Sequence, residues 1–292
     1  MGERFLSDGN IDPGAAAEKS NGLRKLLQRW LGGSNDSRNG LASMENQNEE
    51  GVTPYLPPDR RVYCIGDIHG RLDLLEELHG MILKDSTGFD GTKAVVYLGD
   101  YIDRGAQSKQ VLDLLIDQPL EDFESVHLLG NHEHAMLDFL SNPAGIGAAW
   151  LSFGGQETCL SYGIDPGRIM KNSDLEQLRG NLAEKLPQSH LDLLNSMPLT
   201  HIEGSYCFVH AGIRPEESIE DQQAGDLLWI REEFTHSRRR HEYIIVHGHT
   251  ISMEVESLPN RIGIDTGAYQ TGMLTALVLE GSEQRLLQTG RS

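Results

Sequence analysis

Apolar residues are sparse before about residue 55 and regularly spaced after it. The first part is rich in Gly, Ser, Asn, Asp and Glu, and so few apolar side chains cannot offset the entropy lost on ordering. We predict a mobile tail over residues 1–55. Within it, residues 22–31 place apolar side chains near helical spacing beside Arg24, Lys25 and Arg29, which predicts a short basic amphipathic helix. That segment either packs on its own domain, stays disordered, or docks on a membrane surface or partner.

From residue 56 to 292, short apolar or β-branched runs alternate with amphipathic stretches such as 72–83 and 108–116. This alternation predicts a layered α/β domain. The stretch from about 141 to 198 has helical patterning and fewer strand signals, so we expect a helical insertion or cap there. No run of about 20 apolar residues is present, and no apolar leader precedes a cleavage site, so neither a membrane span nor secretion is expected.

Charge and cysteine content narrow the class of partner and the compartment. The formal charge is −19, from 44 acidic and 25 basic residues, which argues against attraction of the whole chain to nucleic acid or anionic lipid. Cys64, Cys159 and Cys207 show no C-x-x-C spacing, so a disulfide framework is not expected. We predict a cytoplasmic protein, with Cys64 and Cys207 as core residues.

Five apolar runs are each followed by polar side chains that can bind metal or phosphate. In open α/β sheets, the loops at the carboxyl ends of strands gather on one rim, so we expect these side chains to form one cluster. Residues 62–65 precede Asp67 and His69, 95–98 precede Asp100, Asp103 and Arg104, 126–129 precede Asn131 and His132, 206–209 precede His210, and 244–246 precede His247 and His249.

The ligand types in this cluster are carboxylate, imidazole and amide oxygen without thiolate, which suits Mn, Fe or Zn and is sufficient for two metals. A single Asp after a strand commonly caps a helix, and a single His is commonly a satisfied polar residue. Five such segments in succession favour a metal site. We expect His247 to serve the strand or to support the ligands, and Asp265 either to line the site or to form a turn.

Over roughly residues 61–281 the chain resembles the PPP-type phosphoprotein phosphatases of the calcineurin-like metallophosphoesterase superfamily. The segments that carry the resemblance are 66–70, 99–105, 130–133, 210–212 and 248–250, while 154–158 and 264–268 are similar to bacterial members. The resemblance implies a two-sheet β-sandwich flanked by helices.

The resemblance also implies roles for particular residues. One divalent metal, most often Mn with Fe or Zn as options, would be held by Asp67, His69 and Asp100. A second would be held by Asp100, Asn131, His210 and His249. His132, oriented by Asp103, would protonate the leaving oxygen, and Arg104 and Arg231 would bind the phosphate. Arg231 rests on the short segment 227–231, where an ordinary surface arginine is the alternative.

The implied reaction is direct attack on phosphorus by a hydroxide that bridges the two metals. We expect phosphoserine or phosphothreonine substrates, with phosphotyrosine as an option. The alternative is a dinucleoside polyphosphate hydrolase such as a diadenosine tetraphosphatase. Asp103 and Glu133 favour the phosphatase, because symmetrical hydrolases usually lack the former and commonly carry Asp at the latter, but asymmetric types retain the Asp and Arg. A silent binding module is disfavoured because every assigned position carries a competent residue.

Overall fold

The computed structural model describes residues 52–290. Of the tail predicted over residues 1–55, residues 1–51, which include the helix predicted at 22–31, lie outside this range. Residues 52–55 are described: Val52 packs against buried apolar residues, and the Tyr55 N–H donates to Ser205 Oγ at 2.8 Å. The ten strands of the described chain are β1 (Arg60–Ile65), β2 (Thr92–Tyr97), β3 (Phe123–His127), β4 (Thr200–Glu203), β5 (Tyr206–Val209), β6 (Ile244–His247), β7 (Glu256–Leu258), β8 (Arg261–Gly263), β9 (Thr275–Glu280) and β10 (Glu283–Gln288).

The strands form two mixed sheets. The first has the order β10-β9-β1-β2-β3, with β1, β2 and β3 parallel and β9 antiparallel to β1 and β10. The second has the order β4-β5-β6-β8-β7, with β5, β6 and β8 parallel and antiparallel edge strands. One buried apolar cluster contains Val62 and Val96 of the first sheet together with Phe208 and Val246 of the second. The predicted two-sheet sandwich is therefore confirmed.

Helices flank the sheets. They are α1 (Leu72–Asp85), α2 (Ser108–Asp117), α3 (Asn131–Ser141), α4 (Pro143–Trp150), α5 (Gln156–Ser161), α6 (Asn172–Lys185), α7 (Gln188–Ser196), α8 (Ala224–Trp229), α9 (Glu232–Thr235) and α10 (Ala268–Thr271). In α1 the buried face is Leu74, Leu75, Leu78 and Ile82, the spacing that an amphipathic helix requires. Between β3 and β4 the described chain is helical and contains no strand, as the patterning over 141–198 predicts.

Two local features depart from the simplest interpretation of the sequence. The apolar run 126–129 predicts a strand there, but β3 covers Phe123–His127, because the N–H groups of Leu128 and Leu129 donate to Tyr97 and Pro198 outside the ladder. A π-helical turn, Leu151–Gly155, joins α4 to α5, and Gly154 within it has a φ of 115°.

Two further observations concern the cysteines and the lengths of the helices. Cys64, Cys159 and Cys207 are buried and unpaired. Within residues 52–290, no helix combines the length and apolar character needed to cross a membrane.

Candidate metal centre

The candidate side chains converge where strands of both sheets end. Asp67 and His69 follow β1, and Asp100, Asp103 and Arg104 follow β2. Asn131 and His132 begin α3, whereas His210 follows β5 and His249 follows β6. Arg104 is half-buried, and the other candidates just named are at most 6 % exposed. The structure thus brings the predicted loops together.

The backbone at the site is unusual. Seven non-glycine residues of the described chain have positive φ, and five of them are candidate site residues: His69, Asp100, Asp103, Arg104 and His249. Such conformations are costly for residues with a Cβ atom and persist only where the surrounding structure enforces them. The loops are therefore shaped to aim these side chains.

Two glycines permit the close approach of the loops. A Cβ atom on Gly105 would collide with the backbone of His69 and Gly70, so the loops after β1 and β2 can touch only without a side chain there. A Cβ atom on Gly248 would collide with the Asp67 carboxylate, to which the neighbouring His249 N–H donates at 3.1 and 3.2 Å. These contacts fix the loops of the two sheets against each other.

Asp100 lies at the centre of the cluster. Its Oδ2 atom is 3.4 Å from His69 Nε2 and 3.8 Å from His132 Nε2, and its Oδ1 atom is 3.5 Å from His210 Nε2. Two groups of potential ligands result, one formed by His69, Asp100 and His132 and the other by Asp100, His210 and His249. Asp100 belongs to both, with its two oxygens facing different histidines.

Hydrogen bonds at Nδ1 fix the tautomer of two histidines, so that the Nε2 atom of each ring is an acceptor. His69 Nδ1–H donates to the Ile102 carbonyl and His210 Nδ1–H donates to the Leu98 carbonyl, both at 2.8 Å. The Nε2 atom of each neutral ring therefore carries its lone pair. Burial lowers the pKa values of both rings and of His249, which favours the neutral form that binds metal.

The residues present fit divalent cations. His249 Nε2 is buried and has no hydrogen-bond partner, and His210 Nε2 lies 2.8 Å from Asn131 Oδ1, so two lone pairs face each other. Burial and then the carboxylates of Asp265 and Asp100 raise the pKa of Asp67. Cations would satisfy the free lone pairs and neutralise the crowded carboxylates.

A second arrangement adjoins the first. His132 Nδ1–H donates to Asp103 Oδ2 at 2.7 Å, which leaves Nε2 facing the cluster. Burial lowers the pKa of His132, but Asp100 and Asp103 outweigh that effect and hold it above its ordinary value. Arg104 donates to His69 Nε2 at 2.8 Å and to His132 Nε2 at 3.1 Å, and its guanidinium lies 4.7 Å from the centroid of the Tyr269 ring.

Arg231, the remaining predicted residue, immediately precedes α9. The residue as a whole is exposed, but its guanidinium is partly buried and interacts electrostatically with Arg104, Asp100 and Asp67. Burial of the guanidinium and repulsion by Arg104 lower its pKa. Arg231 therefore contributes positive charge near the cluster while keeping access to solvent.

Other residues at the site had weak sequence signals or none. Asp265 follows β8, and burial raises its pKa to about 6, so it is a third carboxylate of the cluster. It also accepts the N–H of Gly267 at 2.9 Å, which is the turn role, so both expected functions are present. Tyr269, in contrast, had no signal, because its contacts with Arg104 and His69 depend on the placement of α10.

Glu133 organises the loop after β2. Its carboxylate accepts backbone N–H groups from Asp100 and Tyr101 at 2.8 Å and from Ile102 and Gly130 at 3.1 Å. The segment 130–133 identified Glu133 as part of a pattern, but its partners become evident only in three dimensions. By contrast, His247 is buried at the end of β6 and is absent from both groups of potential ligands.

The family model described as calcineurin-like phosphoesterase matches residues 60–254, which include the ends of β1 to β6. The chain belongs to the calcineurin-like phosphoesterase family. As a member, it is placed among metal-dependent phosphoester hydrolases, and its His and Asp residues are positioned for metal binding.

Relatives of this calcineurin-like phosphoesterase have different substrates in their names. An asymmetrical bis(5'-nucleosyl)-tetraphosphatase PrpE of Anoxybacillus flavithermus is 27 % identical, over 73 % of this chain and 88 % of the relative. Serine/threonine-protein phosphatase 2 of Escherichia coli is 28 % identical, over 74 % and 91 %. The crystal structure of a protein described as a candidate diadenosine tetraphosphatase superimposes with a TM-score of 0.56 at 20 % identity, covering 83 % and 99 %.

Proposed function

We propose that this calcineurin-like phosphoesterase is a PPP-type phosphatase that hydrolyses phosphoserine and phosphothreonine monoesters in proteins. The observation that carries the proposal is the buried Asp103–His132 pair, joined at 2.7 Å. Cleavage of a serine or threonine phosphate releases an alkoxide, a strong base that leaves readily only when it is protonated. Cleavage of a polyphosphate anhydride releases a weakly basic phosphate. An oriented imidazole is therefore most useful in the first reaction.

In this proposal, Asp67, His69 and Asp100 hold one divalent cation, and Asp100, Asn131, His210 and His249 hold the other. Mn²⁺ is our first choice, because the ligands are nitrogen and oxygen atoms without thiolate. When bound, two such ions would lower the pKa of a shared water and neutralise charge on the phosphoryl oxygens. The two carboxylate oxygens of Asp100 already face different histidines, which suits a shared ligand.

Arg104 and Arg231 would bind the phosphate, since a guanidinium can donate two parallel hydrogen bonds to phosphoryl oxygens. Arg104 now donates to His132 Nε2. When Arg104 turns to a phosphate, that nitrogen becomes free to carry a proton toward the leaving oxygen. Asp103 would hold the ring in the required tautomer through the Nδ1–H donor.

A dinucleoside polyphosphate hydrolase is the second candidate, and the named tetraphosphatase relatives favour it. The same cation ligands and guanidinium groups would act on an anhydride. The deciding difference is the leaving group, so the two functions make opposite predictions for a substrate pair.

The test is steady-state hydrolysis of a phosphoserine peptide and of diadenosine tetraphosphate, side by side, after chelation and replacement with Mn²⁺. Turnover of the peptide with little cleavage of the dinucleotide supports the phosphatase. The reverse ratio transfers the assignment to the nucleotide. Inactivity on both, with metal bound, would contradict catalysis and favour a binding module.

We also propose a cytoplasmic location, since the three buried cysteines are unpaired and suit a reducing compartment. Their state in protein purified without reductant would test this proposal. Formation of disulfides in the folded protein would contradict it.

A further inference from the structure

The Asp103 carboxylate is completely buried and is held from three directions. Its Oδ2 atom accepts from His132 Nδ1 at 2.7 Å and from Trp150 Nε1 at 3.0 Å, and its Oδ1 atom accepts from the Thr158 hydroxyl at 2.6 Å. A buried charge is tolerated only when its hydrogen-bonding capacity is met. All three donors come from the helical stretch between β3 and β4, with His132 in α3, Trp150 in α4 and Thr158 in α5.

The same stretch also holds the backbone of the loop after β2. The Asp103 N–H donates to Thr158 Oγ1 at 2.9 Å and to Ser108 Oγ at 3.0 Å. The Arg104 N–H donates to the Gly154 carbonyl at 3.2 Å. Both Asp103 and Arg104 have positive φ, so these bonds secure a conformation that the chain would otherwise avoid.

We infer that Trp150 and Thr158 are positioning residues for the reaction, which fix the Asp103 carboxylate so that it presents His132 to the leaving group. The inference rests on the role proposed above for Asp103 and His132. Neither residue is among the potential metal ligands, and each would act through Asp103 rather than on the substrate. The helical stretch would thereby tune proton transfer.

Packing is the competing explanation for Trp150. Its ring lies 4.8 Å from that of Phe139, and it is fully buried, so a large truncation would disrupt the core. The informative changes keep much of the shape and remove the polar group that bonds to Asp103. Trp150→Phe retains an aromatic ring without the indole N–H, and Thr158→Val replaces the hydroxyl with a methyl group. Thr158→Ser restores a hydroxyl, and Phe139→Leu perturbs the same core without touching Asp103.

The first experiment compares kcat and KM for phenyl phosphate, a poor leaving group, with those for p-nitrophenyl phosphate, a good one. We expect Trp150→Phe and Thr158→Val each to lower kcat for phenyl phosphate about 10- to 100-fold, the effect of losing a hydrogen bond to a charged group. KM and the rate with p-nitrophenyl phosphate should change little. Thr158→Ser should recover most of the loss, and Phe139→Leu should affect both substrates equally.

Coupling to His132 provides a second criterion. In a His132→Asn background, adding Trp150→Phe should lower kcat no further, because a residue that acts through the imidazole has no effect once the imidazole is gone. Independent, additive losses would overturn the inference. So would equal losses on both substrates.

A third measurement needs no turnover. The indole N–H signal of Trp150, identified by its loss in Trp150→Phe, should move on Asp103→Asn, while the signals of the other tryptophans should not. An unmoved signal would overturn the inference. If the wild-type protein hydrolyses no phosphomonoester, the proposed function fails, and this signal still decides whether Trp150 is bonded to Asp103.

Discussion

Two groups of buried or half-buried histidines in this protein have different surroundings. His69, His210 and His249 lie in the metal centre, whereas His79 and His127 lie beside Tyr97 of β2. Burial lowers the pKa in both groups, to about 4 for His79 and His127. His79 Nε2 is 2.9 Å from the Tyr97 hydroxyl, and the His127 ring stacks on the Tyr97 ring at 4.9 Å.

The difference between the groups lies in the neighbours of the rings. No carboxylate affects the lowered pKa of His79 or His127. Asp100, in contrast, partly opposes the effect of burial on the pKa of each of the other three. In the metal centre, the Nε2 lone pair of His210 faces another lone pair and that of His249 has no partner. A buried histidine with a depressed pKa can therefore serve either packing or function. The histidines of the metal centre differ because their unprotonated nitrogen atoms converge with other acceptors.

The largest expected effect comes from Asp100→Asn. The amide removes the charge shared by the two groups of potential ligands, so we expect kcat to fall by on the order of 10³-fold, equivalent to about 4 kcal/mol. Bound metal, measured by elemental analysis after dialysis, should fall as well, while circular dichroism stays unchanged. His79→Gln is the matched control in the other group and should keep both metal and turnover. Full activity with two metals in Asp100→Asn would contradict the assignment.

His132 makes the comparison sharper, because it is buried and yet its pKa is raised. We expect His132→Asn to lower kcat on a phosphoserine peptide by about 10²- to 10⁴-fold, the usual contribution of a general acid. The loss should be much smaller with p-nitrophenyl phosphate, whose leaving group needs no proton. Metal content should stay at the wild-type level. Equal losses on both substrates would argue for a role in binding instead.

The effect of Mn²⁺ on the thermal stability of chelated protein should distinguish a change in the metal centre from a change at His79. Each ion present at 100 times its dissociation constant stabilises the folded state by about 2.7 kcal/mol, which for a domain of this size is a rise in Tm of roughly 5 to 10 °C per ion. We expect calorimetry to show that rise when Mn²⁺ is added to chelated wild type or His79→Gln. Asp100→Asn should show little of it. A similar rise in all three proteins would place the ions elsewhere.

Local sequence patterns predict those site residues whose position follows from the strand that precedes them. Asp67, His69 and Asp100 could be predicted because each follows a strand directly, and parallel strands bring their ends together. Trp150, Thr158 and Tyr269 could not, since their contacts depend on how helices pack against loops distant in sequence.

Two other differences have the same physical origin. The sequence alone leaves the role of Asp265 open, because a residue directly after a strand can either form a turn or line a site. The apolar pattern predicts that β3 continues to Leu129, but the strand ends at His127. Leu128 and Leu129 remain hydrogen-bonded beyond the ladder, so the apolar run is longer than the strand. In both cases the apolar pattern is correct, and the partner that decides the outcome comes from another part of the chain.

The smallest expected effect concerns the group without carboxylates. A histidine whose pKa falls from 6.5 unfolded to about 4 folded binds its proton more readily in the unfolded chain, so stability is lost as pH drops below 6.5. For His79 that loss amounts to about 2 kcal/mol between pH 8 and pH 5. We therefore expect the free energy of unfolding in urea, measured with chelator present, to depend less on pH in His79→Gln by about this amount. Because the histidines of the metal centre titrate in both proteins, their contribution cancels in the difference. If the free energy of unfolding depends on pH equally in both proteins, His79 keeps an ordinary pKa. His79 would then no longer be an example of a depressed pKa outside the metal centre.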